Sequence, residues 1–167
     1  MDNLFTLMAM GQKYLSKKGG RFYCLFVDFS KAFDTISHVK LINCLIRKGV
    51  GGNYLKLLVS MYSDLCTCVK VSENEYTKSF RCNIGTRQGC KLSPVLFSIF
   101  INDLIERLRA SNINGIQVSN GVEDILALLY ADDIANVSDS VRNLQAQINV
   151  LSQFCIDTGM VINLSKE

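Results

Sequence analysis

The chain has 167 residues, which suits one domain with a real hydrophobic core at about 100–200 residues per domain. Hydrophobic residues make up 49% and charged residues 20%, a globular balance that excludes a disordered or low-complexity chain. The net charge of +3 permits a nucleic-acid partner without arguing for one, since many enzymes carry as much.

The N-terminal "MDNLFTLMAMGQKYLSKKGG" has an acid at position 2 and its basic residues after the apolar part, the wrong order for a signal peptide. No apolar run approaches the roughly 20 residues of a membrane span. Residues 3–16 are expected to form a helix with Leu4, Leu7, Met8 and Leu15 on one side. After Gly19-Gly20, "RFYCLFVDF" (21–29) reads as a buried strand ending in Asp28. Helices are expected at 38–48, closed by Gly49, and at 53–64, with Tyr54, Leu57, Leu58 and Met61 sharing a face. Two short strands, "CTCVKVS" and "YTKSFRC", flank the turn-like "ENE".

Ser93-Pro94 signals a helix start, with serine as cap and the only proline at the first helical position. That helix should run to about Arg109, its first half apolar nearly all round and therefore buried beneath a sheet. "DILALLYADDIANVS" reads as two strands. Ser140 should cap a helix carrying Val141, Leu144, Ile148, Leu151 and Cys155, which Gly159 ends before a final strand, "MVINLS". The seven cysteines include no C-x-x-C pair and the only histidine is His38, so a zinc site is not expected. An odd count without a secretory signal reads as reduced, mostly buried thiols and an intracellular protein, with nucleus and cytoplasm not distinguished.

Asp132 and Asp133 end one apolar run and precede another. A buried strand has no use for adjacent anions, whose desolvation costs several kcal/mol, so solvent at a turn, a basic partner or a metal ion must compensate them. Successive strand residues face opposite ways, so both acids serve one site only if "YADD" is a hairpin with the acids at its tip. Asp28 ends a similar apolar run, and strands lying side by side would bring it to Asp132. Three converging carboxylates repel unless a divalent cation such as Mg²⁺ joins them, and two such ions promote in-line displacement at phosphorus. Taken singly, each acid also has a plain role: a solvated turn for the pair, a cap for Asp28 in "DFSKAFD".

The blocks "FVDFSKAFDTISH", "GTRQGCKLSPVLFSIFINDL", "LLYADDIANVSDS" and "GMVINLSKE", in this order and spacing, resemble the reverse transcriptases of LINE-type (non-LTR) retrotransposons, with related patterns in group II intron maturases. The resemblance implies an α+β fold, a right-hand polymerase palm whose antiparallel sheet is backed by helices, with partial fingers. It implies a single palm and partial-fingers domain over 1–167, truncated at both ends. It also implies RNA-directed DNA synthesis with two Mg²⁺ ions, Mn²⁺ being an alternative. The implied partners are an RNA template, a DNA primer, deoxynucleoside triphosphates and the missing fingers and thumb segments, with no membrane. Asp28 falls on the family's first metal-binding aspartate, and Asp132 and Asp133 on its acidic pair, with Tyr130 and Ala131 before them. Phe33, five residues after Asp28, matches the steric gate against a ribose 2′-hydroxyl. Gln88 and Gly89, preceded by Arg87, match the residues lining the nascent base pair and template. Lys166 matches the lysine that protonates departing pyrophosphate.

The residue types suit these roles. Glycine lets backbone approach a ligand, glutamine both donates and accepts, and a lysine general acid needs its pKa tuned by its site. Lys91, Arg81 and Arg87 are further candidates for phosphate contacts. Lys91 departs from the proline or apolar residue common at its position, a change for loop stiffness more than for chemistry. The rival readings are a catalytically silent remnant that at most binds nucleic acid, and an RRM-like binding module. The RRM signature with stacking aromatics is missing.

Overall fold

A computed structural model describes residues 3–118 and 124–164. The chain divides into two units, Met1–Ala32 with Ile101–Glu167, and Phe33–Phe100. Helix α5 (Ser93–Ala110) contributes its first turns to the second unit and the rest to the first.

In the first unit, the apolar runs become an antiparallel sheet of β1 (Tyr23–Val27), β4 (Ala127–Tyr130) and β5 (Asp133–Ser138), in the order β1-β5-β4. The register pairs Val27 with Ile134 and Tyr23 with Ser138 on one side of β5, and Tyr130 with Asp133 and Ala127 with Asn136 on the other. Alternation then divides the sheet into two faces. Val27, Ile134, Asn136 and Ser138 are all buried on one face, and α6 (Val141–Thr158) packs against β1 and β5. On the other face Val137 is buried in a cluster with Met10 and Ile116, joined by Leu7, Tyr14, Cys24 and Leu128. Helix α1 (Asn3–Leu15) therefore covers part of that face with Leu7, Met10 and Tyr14. The expected stripe was different: Leu4, Met8 and Leu15 are exposed, because the sheet takes the neighbouring i, i+3, i+7 positions.

The expected caps of α6 are in place. The Ser140 hydroxyl accepts from the Asn143 N–H at 3.2 Å, and Gly159 takes φ 77° and donates its N–H to the Cys155 carbonyl. "MVINLS" forms no full strand. It adds to the outer edge of β1 through a Phe29–Ile162 bridge, with the Ser30 N–H donating to the Val161 carbonyl at 2.8 Å.

The second unit holds most of a short helix α2 (Ala32–Thr35), α3 (His38–Arg47), α4 (Gly52–Ser63) and a two-stranded ribbon of β2 (Cys66–Thr67) and β3 (Phe80–Arg81). The α2 turn was not anticipated; it follows a reversal at Lys31, which takes φ 49°. Helix α4 buries Leu58 and Tyr62, whereas Tyr54 and Leu57 are exposed. Tyr62 faces α3, its ring 4.8 Å from the His38 ring. Helix α5 is one-sided instead of apolar all round: Leu96, Phe97, Phe100, Ile101, Leu104 and Leu108 are buried while Val95 and Ser98 are exposed.

All seven cysteines are free, as expected, but only Cys44 is fully buried, and Cys66 and Cys68 are exposed on the ribbon. A two-stranded ribbon has no layer over either face, so its side chains stay in solvent. Burial pushes the Cys24 and Cys155 thiols above their usual range. Among the described residues no helix is long and apolar enough to cross a membrane.

Candidate active site

The β4–β5 hairpin turns on Ala131 and Asp132, between the paired residues Tyr130 and Asp133. Ala131 takes φ 54°, as the first loop position of a two-residue hairpin of matching twist requires. The turn reaches the acids as the sequence suggested, but the two acids differ in place. Asp133 opens β5 and is exposed; Asp132 sits in the loop, half-buried.

Asp28 follows the last residue of β1. Continuing the Val27–Ile134 register by one residue sets Asp28 opposite Asp133. The expectation from sequence was Asp28 beside Asp132; β5 occupies the centre of the sheet, so its first residue is the neighbour. On the other edge of β1 the Asn163 N–H donates to the Asp28 carbonyl at 2.8 Å, one position on from the Phe29–Ile162 bridge. Paired residues share a face. Tyr130, Asp133, Asp28 and Asn163 therefore form one row across the sheet. All four line a cavity of about 640 Å³ whose floor is Phe26, Leu128 and Ala135 and whose wall is Asn3, Leu4 and Leu7 of α1. Asn3 is fixed there by donating from Nδ2 to the Leu129 carbonyl at 2.7 Å.

The donor set suits a hard divalent cation, because carboxylate oxygens are offered and neither cysteine nor histidine lines the cavity. Neither Asp132 nor Asp133 forms an ion pair with a described basic residue. Among the described residues no three Asp, Glu, His or Cys side chains are gathered into a ready metal cage. Lys166 lies outside the described residues.

The remaining expected residues gather in the second unit. Phe33 stacks on Phe97 with ring centroids 4.5 Å apart, and its carbonyl accepts from the Thr86 N–H at 2.7 Å. Gly85 takes φ 88° with its α-carbon so close to Asp34 that a Cβ would lie 3.0 Å from the Asp34 carbonyl oxygen. A side chain there would be strained in backbone conformation and tight against the Asp34 backbone. The loop that follows is held at both ends: the Gln88 amide donates to the Asp34 carboxylate at 3.1 Å, and the Ser93 hydroxyl donates to the Arg87 carbonyl at 2.7 Å. The expected cap is corrected: Ser93 is the first residue of α5, which puts Pro94 second, and its hydroxyl donates to the loop instead of accepting from the helix, where the Leu96 N–H goes to the Leu92 carbonyl. Gly89 takes φ 76° with open space around it. Phe33, Arg87, Gln88, Gly89 and Lys91 line a cavity of about 370 Å³. Beneath it, burial pushes the Tyr62 hydroxyl above its usual pKa range, and the Cys90 thiol adds to the effect. Arg81, on the ribbon, is engaged elsewhere, paired with Asp64 at the end of α4.

The sequence model of the family described as reverse transcriptase (RNA-dependent DNA polymerase) matches residues 1–167. The chain belongs to the reverse transcriptase family. Among relatives of this reverse transcriptase domain, the Pol polyprotein of a type-1 retrotransposable element R2 from Popillia japonica is 30% identical over 84% of the chain. The RNA-directed DNA polymerase from mobile element jockey of Drosophila melanogaster is 27% identical over a similar 84%. These matches cover 19% and 15% of the relatives, so the chain spans less than a quarter of their length. In fold, the reverse transcriptase domain is similar to apo telomerase from Candida tropicalis, with a TM-score of 0.71 and 15% identity over 98% of this chain and 30% of that one. The α+β palm and fingers architecture expected from the sequence is the one observed.

Proposed function

We propose that this reverse transcriptase domain serves RNA-directed DNA synthesis, adding deoxynucleotides to a primer 3′ end on an RNA template by two-metal nucleotidyl transfer. The observation supporting it most directly is the row Tyr130–Asp133–Asp28–Asn163 beside the Ala131–Asp132 turn, which gives one face of the sheet an anionic end with oxygen donors. Asp28, Asp132 and Asp133 would hold the ions, Mg²⁺ or Mn²⁺. Bound there, they supply a more acidic primer hydroxyl and neutralise charge at the transferring phosphate.

The chain's other residues bind and select. Phe33 would reject a ribose 2′-hydroxyl by bulk, a role that needs a ring that cannot yield; the Phe97 stack and the Thr86 hydrogen bond supply that stiffness. Gln88 and Gly89 would line the base pair and template, with Arg87 and Lys91 offering charge to phosphates. Tyr130, 75% exposed, presents a ring beside the acids, and Lys166 would protonate the departing pyrophosphate. The template, primer and triphosphate, and the flanking polymerase segments, are the partners this reading requires.

The test is primer extension on an RNA template with deoxynucleoside triphosphates and Mg²⁺. It compares the 167-residue chain with the chain joined to a relative's flanking segments, each with and without Asp132→Asn. The joined form should extend in a manner that depends on both Mg²⁺ and Asp132. The chain alone should extend little, because aligning the reactants is worth up to about 7–11 kcal/mol and falls to segments that grip primer and triphosphate. Extension that survives Asp132→Asn overturns the assignment. A joined form that stays inert favours the catalytically silent reading.

A further inference from the structure

The carboxylate of Asp28 is held by the side chain of Asn163, which lies in the "GMVINLSKE" block but has no role in the family resemblance drawn above. Asn163 Nδ2 donates to Asp28 Oδ2 at 3.0 Å, while the backbone of the same residue donates to the Asp28 carbonyl at 2.8 Å. We propose that Asn163 is a positioning residue for Asp28, orienting its carboxylate toward a divalent cation without neutralising it. The proposal rests on the reading of Asp28 as a metal-binding carboxylate.

Three observations support it. Asp28 stands one residue past the last ladder pair of β1, where β-pairing alone no longer fixes the chain. The segment 161–163 restores that constraint from the opposite edge, through the Ser30–Val161 and Asp28–Asn163 backbone bonds. The two side chains then face each other directly across the strands, within reach of a single hydrogen bond.

The amide is also the suitable chemical group. An ionised carboxylate only accepts hydrogen bonds, so the amide nitrogen must face it. One oxygen, Oδ2, receives that hydrogen bond and the side-chain torsion is fixed. A lysine or arginine at this place would fix it too, but would cancel the negative charge that a cation needs. An aspartate would repel it. Asparagine orients Asp28 and leaves its charge intact, as outer-shell partners of metal ligands do.

The experiment uses Mn²⁺ as the probe and the chain as it is. Free Mn²⁺ is followed by its paramagnetic resonance signal in titrations of the wild type, Asp28→Asn, Asp132→Asn, Asn163→Ala and Asn163→Lys. Far-ultraviolet circular dichroism and a thermal melt without metal are run on each. The backbone bond from residue 163 to the Asp28 carbonyl survives either substitution, so the fold should persist. Asn163→Ala should weaken Mn²⁺ binding about 10–100-fold. Asn163→Lys keeps a donor but removes net charge, and should weaken it at least as much. If Asp28→Asn abolishes binding while both Asn163 variants bind as the wild type does, Asn163 is only a structural neighbour and the proposal fails. If the wild type binds no Mn²⁺, or Asp28→Asn binds unchanged, the metal reading fails and the proposal with it.

Discussion

Asn136 lies at the centre of β5 with no accessible surface, and neither its carbonyl oxygen nor its amide nitrogen meets a hydrogen-bond partner among the described residues. It points to the face packed by α6, where Gln147 is equally buried; the Gln147 nitrogen donates to the Val137 carbonyl while its oxygen is also unpaired. An unsatisfied buried amide costs about 1–3 kcal/mol. Leucine has the same branching and number of side-chain heavy atoms as asparagine, so Asn136→Leu removes the penalty at nearly constant shape. Its methyl groups are bulkier than the atoms they replace, and crowding takes back part of the gain. The net expectation is a stabilisation of about 1–2 kcal/mol, or roughly 2–8 °C in Tm for a chain of this length. Urea unfolding followed by circular dichroism measures it as a higher midpoint at an unchanged slope. A lower midpoint for Asn136→Leu and also for the smaller Asn136→Ala and Asn136→Val would refute the reasoning, since crowding could not explain all three and the amide would have to be paired in the folded protein.

Ser140→Ala should lower stability by about 1 kcal/mol through loss of the cap on α6, measured by the same unfolding; an unchanged midpoint would mean that the α6 start is held by packing alone. A thiol reagent at neutral pH should label exposed Cys66 and Cys68 first and Cys44, Cys24 and Cys155 slowly, since burial removes access and, at Cys24 and Cys155, disfavours the thiolate; peptide mapping after short exposure reads the order. In the active joined form, Phe33→Ala should raise ribonucleotide incorporation relative to deoxyribonucleotide, measured by competition on one template. An unchanged preference would make Phe33 plain packing for Phe97.

The sequence carried the local part of this structure and little of the register. Ser140 and Gly159 state the ends of α6 by their own chemistry, and the run before Asp28 needs no partner to read as a strand. Several apolar stripes are available on α1 and on α4, and only the neighbouring element selects the one that is buried. The same limit explains the acids. "YADD" announces a turn, but which acid faces Asp28 depends on β5 being the central strand, a fact about pairing that no single run of residues contains. Asn163 was missed for a related reason. In "VINLS" it reads as one polar position in an edge strand, and its link to a carboxylate 135 residues earlier follows from the Phe29–Ile162 bridge alone. The alternation of that segment was the available signal, since it placed Asn163 and Val161 on one side. Residue type predicts mostly buried thiols, which fails on the ribbon, where no second layer covers Cys66 and Cys68.

The row across the sheet makes the site digital. Every member owes its side of the sheet to the parity of its pairing, so a slip of one residue anywhere in the β4–β5 hairpin turns Asp133 to the α6 side and brings Ile134 out in its place. No half-step exists between those states. Substitution can therefore tune the acidic end gradually, whereas an inserted or deleted residue that shifts the pairing of β5 by one position erases it at once. Among diverging copies of such a chain, the hairpin should tolerate changes of letter and refuse changes of length.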